Sequence, residues 1–196
     1  MILKKIKPRF VAGPPGTGKT HGFIVDLYKK LLIKYHPDNI IILSHTNVAA
    51  DQIRAAILNI PQIKSKGFTD KSMKLKICTI HKYCKSKHLH KKKFEYEHDV
   101  ENVDGILVSR KLLNKEGILN CDVKKYKEEP GLEKCDFTDM IENFLKDEVK
   151  FPDIDAIIID ECQDSNVPQR KAIEKMAANV KEGHYYLVGD ADQTLF

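Results

Sequence analysis

The sequence predicts an α/β fold built on a parallel sheet with crossover helices. Two observations carry this reading. Short apolar runs alternate with segments whose apolar residues recur every three to four positions, and at least one run is apolar on both faces, as a strand covered by helices on both sides must be. Length supplies a third: 196 residues, 42% hydrophobic and 31% charged, can pack one core with a small insertion and fall short of two full domains.

The elements follow in order. Phe10, Val11 and Ala12 read as the first strand, which runs into a glycine-rich loop. Phe23, Ile24, Leu27, Tyr28, Leu31, Leu32 and Tyr35 then recur at helical spacing and give one apolar face. The run NIIILS at 39–44 is a buried strand, and Ala49, Ala50, Ile53 and Ile57 line the next helix. KICTI at 76–80, AIIID at 156–160 and YYLVGD at 185–190 read as three more strands. Pro168 marks the start of a helix carrying Ile173, Met176 and Ala177 inward. The stretch 85–150 changes character: it opens with KSKHLHKKK, turns acidic, and holds a turn at EEPGLEKC and an amphipathic piece from Phe137 to Leu145. It reads as a small helical insertion, leaving 1–84 and 151–196 as the core.

Composition narrows the functional classes. No apolar run nears the roughly 20 residues needed to span a bilayer, and the basic N-terminus leads into a strand, not a signal peptide. A cytoplasmic protein without membrane contact is expected. Five cysteines form no CxxC pair, which argues against a disulfide framework. Cys78, Cys84, His88 and His90 match no zinc spacing, and no metal site is expected there. The net charge of +5 hides an asymmetry: residues 1–93 carry 20 Lys/Arg against 4 Asp/Glu, and residues 94–196 carry 13 against 24. A half with net charge +16 points to a polyanionic partner or to a solvated lysine-rich surface.

GPPGTGKT, Gly13 to Thr20, fits G-x-x-x-x-G-K-[ST] between a strand and a helix. The pattern resembles the phosphate-binding loop of P-loop nucleoside triphosphatases. Gly13, Gly16 and Gly18 let backbone N–H groups turn toward phosphate oxygens, with Pro14, Pro15 and Thr17 completing the loop. Lys19 reaches the β- and γ-phosphates of ATP, and the Thr20 hydroxyl holds Mg²⁺. Asp160 and Glu161, after four apolar residues, place two acids at the carboxyl end of a buried strand, where open α/β sheets bind ligands. Asp160 suits the Mg²⁺ shell and Glu161 the attacking water. Gln193, past the last strand, can reach a γ-phosphate because an amide both donates and accepts.

The ordered segments AGPPGTGKT, SHTNVAADQI, TIHKYC, IIIDECQDSN and VGDADQTLF resemble motifs I, Ia, Ib, II and III of superfamily-one helicases. DECQD and GDADQTLF make the resemblance closest to the UvrD/Rep/PcrA branch. It implies the RecA-like first motor domain of a DNA helicase, using ATP and Mg²⁺ and gripping single-stranded DNA. Position by position, it implies ATP, Mg²⁺, water and γ-phosphate roles for Lys19, Thr20, Asp160, Glu161 and Gln193. Gln163 would join the nucleotide site to the rest. Thr46, Asn47, Thr79 and His81 would contact single-stranded DNA, and Phe196 would stack on a base. The 85–150 insertion corresponds to the family's helical subdomain.

Motifs IV to VI and the arginine finger belong to a second RecA-like domain, expected in cis or in trans. Because an arginine finger contributes about 10³–10⁵ in rate, the present chain is expected to be weakly active or inactive alone. Two other readings stay open: a nucleotide-binding or interaction module that has lost turnover, and a different P-loop ATPase.

Overall fold

The computed structural model describes residues 7–12, 19–87, 95–96, 100–103, 106–109, 134–135, 137–146, 151, 153–180 and 184–189. Five strands form the central sheet: β1 (Arg9–Ala12), β2 (Ile40–Ser44), β3 (Ile77–Thr79), β8 (Ala156–Ile159) and β9 (Tyr185–Gly189). They lie in the order β1-β9-β8-β2-β3, and every pairing is parallel. Parallel neighbours need crossover connections, and the chain supplies helices for them.

Alternation along each strand sorts the core into two layers. Ile40 and Ile42, Ala156 and Ile158, and Tyr186 and Val188 face one side. There they meet Ile24, Tyr28 and Leu31 of α1 (Lys19–Leu32) and Ile53 and Ile57 of α2 (Asn47–Leu58). Ile63 of α3 (Pro61–Ser65) and Met73 of α4 (Asp70–Met73) complete that layer. Ile41 and Leu43, Ile157 and Ile159, and Tyr185 face the other side. They meet Tyr83 and Cys84 of α5 (Ile80–Lys87), Ile141 and Phe144 of α6 (Phe137–Lys146), and Ala172, Ile173 and Met176 of α7 (Val167–Ala177). Both faces of β2 and β8 are therefore dry, which is why these strands read as unbroken Ile-rich runs.

The expected strands and helices are present, with local differences. Strand β3 ends at Thr79, and Ile80 already begins α5, because the Thr79 hydroxyl accepts from the Lys82 N–H at 3.2 Å and caps the new helix. Leu32 closes α1, so Tyr35 lies past the helix, where its hydroxyl meets His184 Nε2 at 2.8 Å. Phe23 is partly exposed on α1. Within 85–150 the described residues hold α6 and two small ladders. One pairs β4 (Glu95–Tyr96) with β7 (Lys134–Cys135), the other β5 (Val100–Val103) with β6 (Ile106–Ser109). Helix α6 packs into the core beside α5 and α7, with Lys175 donating to the Phe144 and Leu145 carbonyls at its end. The phosphate-loop residues 13–18, His88, His90, the EEPGLEKC turn apart from Lys134–Cys135, Gln193 and Phe196 lie outside the described residues.

Candidate functional site

In a parallel sheet all strands end on the same edge, and here that edge collects the polar residues. Strand β1 delivers the chain toward the glycine-rich segment, and α1 opens at Lys19 and Thr20 on its far side. Strand β9 lies between β1 and β8. At a strand spacing of about 4.8 Å, the ends of β1 and β8 stand roughly 10 Å apart.

Asp160 follows β8 and is buried. Its N–H donates to the Leu43 carbonyl at 2.8 Å, and its Oδ2 accepts from the Ser44 hydroxyl at 3.2 Å. Backbone and side chain are thus both referenced to the end of β2. Glu161 comes next, with φ 50° and ψ 48°. It is the one non-glycine residue of positive φ among the described residues. Left-handed backbone costs an L-residue about 1–2 kcal/mol, and such cost concentrates at functional sites. A 3-10 turn, Cys162–Asp164, follows, in which the Asp164 N–H reaches the Glu161 carbonyl at 3.0 Å. Gln163 folds back so that its Nε2 donates to Glu161 Oε2 at 2.6 Å.

Beyond β2, His45 Nε2 lies 3.0 Å from the Ser165 hydroxyl. Burial lowers the His45 pKa, against the opposing pull of Asp164 and Glu161. Burial also lowers that of His81, on the first turn of α5, with His45 acting in the same direction. Thr46 is the N-cap of α2, its hydroxyl accepting from the Ala49 N–H at 3.1 Å, and Asn47 is the first helical residue. Thr79 is buried beneath its cap.

The structure therefore gathers Asp160, Glu161, Gln163, Thr46, Asn47, Thr79 and His81 at the carboxyl edge of β8, β2 and β3. Lys19 and Thr20 begin the helix that follows β1. Sequence reading gave no role to Ser44, His45, Ser165 or Gly189. Ser44 carried a signal, as the first polar residue after four apolar ones in β2. Gly189 closes β9, and a Cβ there would collide with Gln163 Oε1 and sit 3.0 Å from Cys162 Sγ. Burial pushes the Cys78 and Cys162 thiols up to about 11 and that of Cys84 to about 12, which disfavours their thiolate forms. Among the described residues no three His, Cys, Asp or Glu side chains cluster as metal ligands. A buried carboxylate backed by a hydroxyl nevertheless fits Mg²⁺, which is held by one or two carboxylates plus phosphate oxygens and keeps several waters.

A parallel five-stranded sheet with helices on both faces and acids at its carboxyl edge defines an α/β domain of the P-loop, RecA-like type. The chain belongs to the AAA domain family, whose model matches residues 3–196. That domain occurs in UvrD/Rep-like helicases and P-loop ATPases, and the chain is a nucleotide-binding module of this kind. P-loop domains of this family generally bind ATP with Mg²⁺. No curated protein matches the chain. Among the described residues no helix is long and apolar enough to cross a membrane.

Proposed function

We propose that the chain is the ATP-binding motor domain of a UvrD-like DNA helicase. In this reading it couples ATP hydrolysis to movement along single-stranded DNA, together with a second RecA-like domain in cis or in trans. The supporting observation is the shared sheet edge. Asp160 is hydrogen-bonded into the end of β2 through Leu43 and Ser44, Glu161 follows it in the chain, and β2 leads by way of His45 into Thr46 and Asn47. In this reading the Asp160 contacts to Leu43 and Ser44 are the link through which a change at the acids reaches the strand that carries the proposed nucleic-acid motif.

In the proposed chemistry, loop amides and Lys19 hold the phosphates, and Asp160 with Thr20 holds Mg²⁺. Bound Mg²⁺ supplies charge neutralisation at the phosphate oxygens. Glu161 orients a water and accepts its proton. The water oxygen bonds to the γ-phosphorus, the bridging P–O bond breaks, and ADP leaves with the electron pair. Gln193 stabilises the transferred phosphoryl group.

Two substitutions test the assignment. Lys19→Ala is expected to abolish Mg²⁺-ATP binding in calorimetry with the thermal melt unchanged. Glu161→Gln is expected to bind ATP as the parent does and to lose about 10²–10⁴-fold in hydrolysis, the usual contribution of a general base. Equal ATP affinity in parent and Lys19→Ala sinks the loop assignment, and normal turnover by Glu161→Gln sinks the role of the glutamate.

A further inference from the structure

Three features converge behind Glu161. Its backbone is left-handed, so the direction of its side chain depends on a conformation that the chain does not favour by itself. Its carboxylate accepts a 2.6 Å hydrogen bond from Gln163 Nε2. The other end of that amide, Oε1, lies where a Cβ on residue 189 would stand, and Cys162 Sγ fills the rest of the space. Gln163 is thus wedged between a carboxylate that needs a donor and a glycine with no side chain, which fixes both its rotamer and the orientation of its amide.

We infer that Gln163 and Gly189 are positioning residues for Glu161, with Gly189 the bare seat that lets the Gln163 amide reach the carboxylate. The inference rests on the proposed role of Glu161 in hydrolysis. It assigns the end of β9 a part in that chemistry: strand β9 carries no carboxylate, histidine or lysine in its own span, yet its last residue sets where the acid after β8 points. A charge-assisted bond of this length is among the stronger hydrogen bonds, so it can hold a carboxylate on a backbone that would otherwise relax.

The geometry separates fold from function. An alanine at 189 meets the far end of the Gln163 side chain first and Cys162 Sγ at 3.0 Å second, which must give by a few tenths of an ångström, with the Cys162 N at an ordinary 3.4 Å. The fold can accept it by swinging Gln163 aside, but the Gln163–Glu161 bond cannot survive that swing. Gly189→Ala and Gln163→Ala should therefore have the same consequence by different routes.

The test is a double-mutant cycle on the full chain, read as ATP affinity, kcat and the side-chain amide resonances of Gln163. Both single variants are expected to bind ATP with parental affinity and to lose turnover on the order of 10²-fold, the scale for a reacting group displaced by about 1 Å. The double variant should be no worse than either single one. Without nucleotide, the Gln163 amide resonances should move in Gly189→Ala as they do in Glu161→Ala. Additive losses in kcat, or Gln163 resonances unmoved by Gly189→Ala, overturn the inference. If the amide resonances move while Glu161→Gln hydrolyses ATP normally, the positioning stands and the catalytic role of Glu161 fails.

Discussion

His45 stands beside two carboxylates and still favours its neutral form, because burial outweighs the attraction of Asp164 and Glu161. His81 is shifted the same way, by burial first and by His45 second. A folded state that keeps these rings neutral binds fewer protons than the unfolded chain. Their contribution is therefore complete above the ordinary value of 6.5 and is lost as pH falls below it, levelling off once the lower folded values are passed. The urea midpoint is expected to be lower at pH 5.5 than at pH 7.5 (trial conditions about one unit either side of that value). The His45→Gln/His81→Gln double variant should show a shallower dependence over the same range. Asp70, depressed chiefly by its hydrogen bond from Arg54, loses its contribution only near and below 3.8 and does not confuse this window. A pH slope identical in parent and double variant would mean that other groups carry the titration. Neither the pairing of His45 with Ser165 nor the electrostatic influence of His45 on His81 was legible in the sequence. They lie 120 and 36 positions apart, and only the parallel sheet brings β2, β3 and the turn after β8 to one edge.

Among the elements, α2 shows what apolar periodicity can and cannot reveal. Ala50, Ile53 and Ile57 fall on one face and are buried, as their spacing predicts. Arg54 lies beside that face and is also buried, which the pattern assigns to solvent. Its Nη1 donates to the Ile77 carbonyl at 2.9 Å, while Nε and Nη2 reach Asp70 and Asp51 at 2.5 Å each. One guanidinium thus ties α2 to the start of α4 and to β3. The ion pair to Asp70 spans 16 residues, beyond any helical repeat, so no local signal announces it. Both carboxylates are about two-thirds exposed, so removing the arginine strands no buried charge, but it leaves the Ile77 carbonyl without that donor. Arg54→Met, which keeps the apolar stem, is expected to cost about 1–3 kcal/mol of stability. Asp51→Asn should cost less than about 1 kcal/mol, as an exposed pair does. Denaturant midpoints rank the two, and an Asp51→Asn loss equal to that of Arg54→Met would place the stabilisation in the ion pair instead of the carbonyl bond. By contrast β2 and β8 were fully legible, since burial on both faces leaves only apolar side chains to choose from.

At the scale of the whole molecule, charge and sheet order combine. The half from residue 1 to 93, net +16, contributes β1, β2 and β3 with helices α1 to α5. The acidic half contributes β8 and β9, which the sheet inserts between β1 and β2. The β8–β9 pair is thereby bracketed by strands from the basic half, and the two carboxylates at the end of β8 lie next to β2. The proposed nucleotide site and DNA contact then divide the same edge: phosphates of ATP toward β1, and nucleic acid toward β2 and β3, where Thr46, Asn47 and His81 sit and Lys82, Lys85 and Lys87 of α5 follow. Lysines read phosphate, not sequence, so binding should be non-specific and driven by counterion release. For a labelled single-stranded oligonucleotide, a Kd on the order of 10⁻⁴–10⁻⁶ M at physiological salt is expected. The logarithm of affinity should fall linearly with the logarithm of salt, with a slope near −0.7 per phosphate neutralised on a single strand. Lys82→Gln/Lys85→Gln should flatten that slope by roughly 0.7 to 1.4, about 0.7 per lost phosphate contact, and weaken binding alike for unrelated sequences. Fluorescence anisotropy across a salt series measures both quantities. Affinity that ignores salt, or a slope that the lysine variant leaves untouched, would move the nucleic-acid surface away from α5 or remove it from the molecule.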